Sequence, residues 1–248
     1  MNQGSISEDL LQELRQLWTG SFHGQLSTHS VKFSGYPFGS LLPICRDSKG
    51  NPLLMISHLA QHTRNLAANP QCSLMLTQPK SGDVQQWTRL TCLADAQPAP
   101  SSGMLERYCR YYPEGRRYHK ELNFQLYQLL PRQFYFVAGF GSARWFEVSR
   151  LLPQEYFHTA DELELLYQLN GHEHALLNEL LARRDIDPST ESHAVGADPQ
   201  GLDLRHGENL LRLHFDPPIN DTAEFLTHIR GTAPLKRGSL ENTGLFPG

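Results

Sequence analysis

The spacing of leucines near the start of the chain predicts an amphipathic helix. In the segment SISEDLLQELRQLW, Leu10, Leu11, Leu14 and Leu17 recur every three or four residues and form one apolar stripe. A serine before the stripe stands where a helix N-cap is expected, because its hydroxyl can accept a hydrogen bond from a free backbone amide.

From residue 24 to residue 96 the pattern changes to short apolar runs separated by turns. The runs GSLLPIC and PLLMIS are joined through the polar segment DSKGN, which is typical of a hairpin turn. QCSLMLTQP and WTRLTCLADAQP indicate two more strands, and a short helix before them ends at the Asn-Pro pair 69–70. Meandering strands with one short helix favour a small antiparallel barrel over a parallel sheet.

The first unit then continues with an aromatic and basic helix, SSGMLERYCRYYPEGRRYH. A final strand pair follows in NFQLYQLLPRQFYFVAGFGSARWFEV, with a kink at Gly139-Phe140-Gly141. Pro153 begins a weakly patterned segment that suits a linker.

A second unit is predicted from Thr159, where TADE is a capping-box signature. Leu163, Leu166 and Leu169 share one helix face, and a second apolar stripe follows in HEHALLNELLARR. Three short strands and a last helix to about Arg230 complete it. The expected organisation is a barrel domain at 1–152, a smaller α+β domain at 153–234 and a tail at 235–248.

Composition removes several classes of function. The net charge of -4 and the pI near 6.3 give no electrostatic reason to expect nucleic acid. No apolar run approaches the roughly 20 residues of a membrane span, and the first residues lack a signal-peptide pattern, so a cytoplasmic location is expected. The cysteines form no CxxC pair and are predicted to be buried, reduced thiols: Cys45, Cys72, Cys92 and Cys109.

The segment LMISHLAQHTRNLAANP, residues 54–70, carries the candidate chemistry. Ser57 stands where a strand meets a helix, so its hydroxyl can cap the helix while free amides bind a phosphate or carboxylate. His58 and His62 are four residues apart and are predicted to share one helix face. Such a pair can hold a metal or porphyrin iron, can hydrogen-bond an anionic ligand, or can be two ordinary surface histidines beside a serine cap.

Other candidate groups are less specific. His172-Glu173-His174 has i,i+2 spacing, which places the imidazoles on different helix faces, and a structural role is expected. GFGSARWF lacks a following helix, so the dinucleotide fingerprint fails. Arg144 can pair with a carboxylate or stack on a ring, or can be solvated. Four further arginines among tyrosines can form an anion-binding rim or a plain surface: Arg107, Arg110, Arg116 and Arg117.

The motif order resembles the haem-utilisation family of HugZ and HutZ type. The resemblance rests on GYPFGSLLPICRDSKGNPLLMISHLAQHTRNLAANPQCSLML, RLTCLADA, RYCRYYP, NFQLYQL and VAGFGSARWF, and it covers roughly residues 10 to 150. It implies an antiparallel Greek-key split β-barrel of the pyridoxamine 5'-phosphate oxidase type, followed by a small α+β domain often appended to such barrels. It also implies a homodimer with its ligand sites at the subunit interface.

The resemblance leaves two cofactors open. In the flavin-binding oxidases, basic residues on a strand and at a helix start hold the FMN phosphate. Here the strand positions are occupied by Ser40 and Cys45, and the helix start by Ala60, Gln61 and His62. Loss of those charge-assisted hydrogen bonds, each about 1.5–3 kcal/mol, disfavours FMN. Haem requires cations for its propionates, apolar contacts for its faces and usually an axial histidine.

The prediction is therefore a cytoplasmic homodimer that binds haem, a small planar anionic ligand, and that degrades it oxidatively if it is an enzyme. Relatives take the axial histidine from near the C-terminus, but no histidine follows His228 here. The expected pocket residues are Ser57, His58, His62, Thr63, Arg64 and Arg144. The candidate iron ligands are His58, His62 and His228. The alternatives are an FMN-dependent oxidoreductase and a non-catalytic regulatory protein of tetrapyrrole metabolism.

Overall fold

The structure, a computed structural model, describes residues 8–139, 143–152 and 156–231. By internal contacts the chain divides into two units, Met1–Gln154 and Glu155–Gly248. The predicted tail at 235–248 lies outside the described residues, as do parts of the predicted kink and linker. No helix in the described ranges is long and apolar enough to cross a membrane.

The first unit is built from a sheet and four helices within the described ranges. Its elements in chain order are α1 (Glu8–Gly20), β1 (His23–His29), β2 (Pro37–Pro43), β3 (Cys45–Arg46), β4 (Pro52–Ser57), α2 (Gln61–Ala68), β5 (Gln71–Gln78), β6 (Thr88–Pro98), α3 (Ser102–Tyr111), α4 (Gly115–Glu121), β7 (Phe124–Ala138) and β8 (Ala143–Phe146). The single aromatic helix expected after β6 is two helices, because Pro113 lies between α3 and α4 and cannot continue a helix.

The sheet of the first unit is antiparallel throughout. Its strand order is β2-β1-β5-β6-β7-β4-β3, and β8 pairs with β7. This arrangement, with helices packed on it, confirms the predicted split barrel of the α+β class. The predicted stripe of α1 buries Leu11, Leu14 and Leu17. Trp18 follows them and meets Phe134 of β7 edge to face at 4.8 Å, a favourable aromatic geometry.

In its described residues, the second unit packs three helices on a three-stranded antiparallel sheet. Its elements are α5 (Thr159–Asn170), α6 (His174–Ala182), β9 (Ser192–Asp198), β10 (Gly201–His206), β11 (Asn209–His214) and α7 (Thr222–Gly231). The predicted stripe of α5 is partly wrong, since Leu163 is exposed and Leu165 is buried with Leu166 and Leu169. Glu162 is also buried, and its carboxylate accepts a hydrogen bond from the Ala197 amide at 3.0 Å.

An ion-pair network lies inside the second unit. Arg212 of β11 is almost fully buried, and its guanidinium donates to Asp203 at 2.8 Å and to both oxygens of Asp198 at 2.6 and 2.8 Å. Charged groups in a low-dielectric interior require such partners, although the buried Nε of Arg212 has none among the described residues. The network joins β9, β10 and β11 through side chains as well as through the backbone ladder.

The four cysteines are free and buried, as predicted. Burial raises the pKa of the Cys72 thiol to about 12, with a smaller contribution from the nearby Asp95 carboxylate. Burial likewise raises the pKa values of Cys92 and Cys109 above the ordinary range. These thiols therefore stay protonated at neutral pH and behave as small apolar core groups.

Candidate functional site

Residues 57–64, here named the β4–α2 corner, connect the end of β4 to the first turn of α2. Ser57 is the last strand residue and pairs with Phe124, and a turn closed by the Ala60 amide and the Ser57 carbonyl at 3.1 Å follows it. The Thr63 hydroxyl donates to the same carbonyl at 2.6 Å. Helix α2 ends before Pro70, which favours an extended conformation for Asn69.

Two predictions about the corner are wrong. The N-cap of α2 is Ala60, and the Ser57 hydroxyl instead accepts from the Leu59 amide at 3.2 Å, before the helix begins. His58 also precedes the helix, so it does not share a helix face with His62. The pairing of Ser57 into the sheet is the physical reason, since it holds this residue in the strand and delays the helix to Gln61.

The two corner histidines face different surroundings. The His58 ring is exposed, and its Nδ1 lies 3.2 Å from the carbonyl oxygen of Asn123, just before β7. Because a carbonyl only accepts, Nδ1 carries the proton and Nε2 presents a free lone pair. The His62 ring is partly buried, with Nδ1 3.0 Å from the Ser40 hydroxyl of β2. Its Nε2 is buried without a hydrogen-bond partner among the described residues.

Burial lowers the pKa of His62, and the same cause lowers the pKa of His23. Below the ordinary histidine pKa of 6.5 the unfolded chain takes up protons that these folded rings resist, so the free energy of unfolding should fall as the pH falls. We expect His62→Gln to reduce this pH dependence, as measured by urea denaturation between about pH 5.5 and 7.5. His29→Gln, at an exposed position of β1, is the control. An unchanged slope in His62→Gln would contradict the assignment.

The other predicted site residues belong to three different elements of the described chain. Arg64 is exposed on α2, and its guanidinium has no partner among the described residues. Arg144 lies opposite Phe136 in the β7–β8 ladder, so it is on the other sheet face from Tyr135 and Trp145. His228 belongs to α7 in the second unit, where its ring lies 5.7 Å from Phe215.

The proposed arginine rim is instead tied into local structure. Arg107 is buried and donates to the Arg46 carbonyl. Arg116 pairs with Glu106 and Arg117 pairs with Glu114 at 3.0 Å. His174 is also structural, because its Nε2 lies 3.3 Å from the Ser192 carbonyl. In the described ranges no group of three or more histidine, cysteine or acidic side chains could hold a metal ion.

A cleft that the sequence did not indicate lies on the sheet face that points away from the core. Its volume is about 520 Å³. Named here the outer cleft, it is lined by Met75, Gln85, Arg89, Thr91, Tyr135, Val137, Gly139 and Ala143. Alternation in TRLTCLADA contains a weak signal for it, because Arg89 and Thr91 must face away from the buried Leu90 and Cys92.

Two features make the outer cleft suitable for a planar anion. Nη1 of Arg89 donates to the carbonyls of Gln85 and Trp87 at 3.1 and 3.3 Å, which fixes the guanidinium at the cleft. Its Nε and Nη2 have no protein partner in the described ranges and can donate to a ligand. Tyr135, which lines the cleft, contacts the ring of Trp145 at a tilt of 48°, with ring centroids 4.8 Å apart, and the pair forms an aromatic wall.

Comparison with known proteins places this architecture in a family. The family model described as "CREG, beta-barrel" matches residues 12–158. The heme oxygenase HutZ of Vibrio cholerae is 32% identical over 127 residues, which cover 48% of this chain and 70% of HutZ. The chloroplastic non-canonical heme oxygenase HOZ of Arabidopsis thaliana is 46% identical over 86 residues. That match covers 35% of this chain but only 26% of the plant protein.

A solved structure shares the fold across nearly the whole chain. A protein of unknown function from Agrobacterium tumefaciens aligns with a TM-score of 0.76 at 20% identity, covering 94% of this chain and 98% of that one. Taken with the matched residues 12–158 and the HutZ alignment, the split-barrel sheet identifies this chain as a member of the CREG-type β-barrel family and of its HutZ-type haem-utilisation proteins.

Proposed function

We propose that the protein binds haem as a homodimer, with the outer cleft holding the porphyrin. The observation that carries the proposal is one cation, Arg89, fixed at a cleft whose other lining residues in the described ranges are uncharged and which has an aromatic wall. A haem propionate can accept from its free Nε and Nη2, and Met75, Val137 and Tyr135 can contact the porphyrin face. The relatives named heme oxygenases support this ligand class.

The imidazole that haem iron requires is best supplied by His58. Its Nδ1–H is held by a backbone carbonyl, the arrangement that orients metal-binding histidines, and the residue is exposed. Leu59 and Arg64 are exposed in the same corner and offer an apolar contact and a second cation. His62 is less suitable because its Nε2 is buried under protein atoms.

The corner fits FMN poorly. Ser40 and His62, which stand where the flavin oxidases place phosphate-binding cations, are hydrogen-bonded to each other at 3.0 Å. Cys45, at the other strand position, is fully buried. A phosphate dianion bound here would contact the neutral Ser40–His62 pair and no cation from either residue. Release of stoichiometric FMN on denaturation of the purified protein would favour the oxidoreductase alternative over haem.

Dimerisation is supported by apolar side chains that stay exposed in one chain. The β1–β2 hairpin exposes Val31, Phe33, Tyr36 and Leu41, and a group of exposed apolar side chains of this kind often marks an interaction surface. A second copy would remove these groups from water and shield bound haem from solvent.

If the protein turns haem over, the bound group supplies the iron at which O2 is activated for oxidative attack on the porphyrin. The residues of this chain would orient it. Arg89 would fix a propionate, the Tyr135–Trp145 wall would exclude water from one face, and the Asn123 carbonyl would keep the proton of His58 on Nδ1.

Hemin titration of the purified dimer tests the proposal. We expect a saturable change in the Soret band, and Arg89→Ala should weaken binding about tenfold or more. A charge-assisted hydrogen bond contributes about 1.5–3 kcal/mol, and 1.4 kcal/mol is tenfold in affinity. Arg132→Ala is the matched control, since Arg132 lies on the neighbouring strand β7 but is exposed and pairs with Asp95. No saturable change in the wild type would refute haem binding.

A further inference from the structure

A second cleft lies in the second unit, between the segment that follows β11 and the first turns of α7. Its volume is about 520 Å³. Named here the α7 cleft, it shares no lining residue with the outer cleft. Its apolar lining residues are Pro217, Pro218, Ile219 and Ala223.

Both walls of the α7 cleft are fixed by the packing of the unit. Ile219 is buried, and its backbone amide donates to the Pro199 carbonyl at 2.7 Å. On the other wall the Asp221 carboxylate accepts from the Ala223 amide at 2.7 Å, which caps α7, and Phe225 anchors the helix in the core. The cleft is therefore preformed, so a ligand does not have to order its walls.

The polar lining residues share one face of α7. Glu224, Thr227 and His228 follow i, i+3, i+4 spacing. Within the described residues the Glu224 carboxylate and the His228 ring have no hydrogen-bond partner, although the ring contacts Phe215 at a centroid distance of 5.7 Å. The Thr227 hydroxyl donates to the Ala223 carbonyl at 3.3 Å, and its oxygen can still accept. These groups suit a ligand that brings several hydrogen-bond donors.

The segment around the cleft is acidic. Residues 215–227 carry three acidic side chains and no lysine, arginine or histidine. The arginines of neighbouring elements do not line the cleft and bond elsewhere: Arg183 to the Ile229 carbonyl and Glu179, Arg184 to the His214 carbonyl, and Arg230 to Glu173. The complementary ligand is therefore a cation.

We propose that the α7 cleft binds a guanidinium group carried on an aliphatic chain, as in an arginine side chain. A guanidinium has five N–H donors in one plane, so it can bond both carboxylate oxygens of Glu224 and still donate to Thr227 or to a neutral His228 ring. Its methylene chain can pack on the proline rings of the opposite wall. The proposal does not depend on haem binding.

Calorimetric titration of the purified chain tests the proposal with two probes, butylguanidinium and N-acetylarginine methylamide. We expect saturable binding, and Glu224→Gln should weaken it about tenfold or more, the effect of a lost charge-assisted hydrogen bond. Glu224 is exposed and without a partner among the described residues, so this variant should fold normally. Glu208→Gln is the matched control, because Glu208 is an exposed acid of the β10–β11 turn that does not line the cleft.

The probes also separate two sources of the ligand. Equal affinities would show that the cationic group and its chain suffice, as in a small guanidine. Tighter binding of the arginine derivative would show that peptide groups contribute, as in an arginine of a protein partner. N-acetylcitrulline methylamide, in which a neutral urea replaces the guanidinium, should bind about tenfold more weakly or less.

Absence of saturable binding by both probes would overturn the proposal. So would equal binding of the citrulline derivative, or equal losses in Glu224→Gln and Glu208→Gln. The NMR signals of the His228 ring should shift on saturation, and unchanged signals would place the ligand elsewhere. Hemin binding should be the same in Glu224→Gln and wild type, so this proposal and the proposed function can fail independently.

Discussion

Replacement of Arg212 by alanine should destabilise the second unit by about 3–5 kcal/mol, the range for a buried ion pair that loses one partner. Asp203 and Asp198 would keep their negative charges without the guanidinium that hydrogen-bonds both of them. Since a domain is typically stable by only about 5–15 kcal/mol, this unit would lose a large part of its stability.

Chemical denaturation followed by a probe in the second unit measures this loss. Arg230→Ala is the control, because Arg230 forms an exposed pair with Glu173 and surface pairs usually contribute less than about 1 kcal/mol. If the two variants lose similar free energy of unfolding, the buried network is not a main source of stability.

Replacement of Asn65 by alanine should cost the first unit about 2–3 kcal/mol in free energy of unfolding. The Asn65 side chain is fully buried; its oxygen accepts from the Val31 amide at 3.1 Å, and its nitrogen donates to the Thr28 hydroxyl at 2.9 Å. Each buried polar group left without a partner costs about 1–3 kcal/mol. Because these bonds attach α2 to β1 and the segment that follows it, the loss should also loosen the β4–α2 corner.

Urea denaturation and hydrogen exchange of the α2 amides measure the two effects. Asn69→Ala is the control, since its side chain accepts only from the Gln71 amide at an exposed position. Equal effects at the two positions would show that the Asn65 network does not hold the helix in place.

The local spacing of apolar residues predicts most helices and strands correctly. The predictions fail where pairing between distant segments decides the structure. The α1 stripe depends on spacing within one helix, and Leu11, Leu14 and Leu17 are buried as expected. The sequence around Ser57 predicts a helix cap, but pairing with Phe124, 67 positions later in the chain, holds Ser57 in β4.

The candidate site was harder to predict because its parts come from distant segments. The family resemblance points to Ser40 and His62 separately. It does not predict the hydrogen bond between them, which joins β2 to α2. The outer cleft forms only when four strands pair in register, which the sequence does not predict. The alternation around Arg89 indicates only which sheet face this side chain lies on. Whether the predicted site residues bind a ligand stays a prediction.

The burial of all four native thiols has a practical consequence for labelling experiments. Reagents that alkylate thiolates should react slowly with the buried cysteines of the folded chain at neutral pH. A single cysteine introduced on the surface could then carry a spin label or fluorophore without first removing the natural ones. Distances between the β4–α2 corner and the outer cleft could then be measured in an otherwise unaltered background.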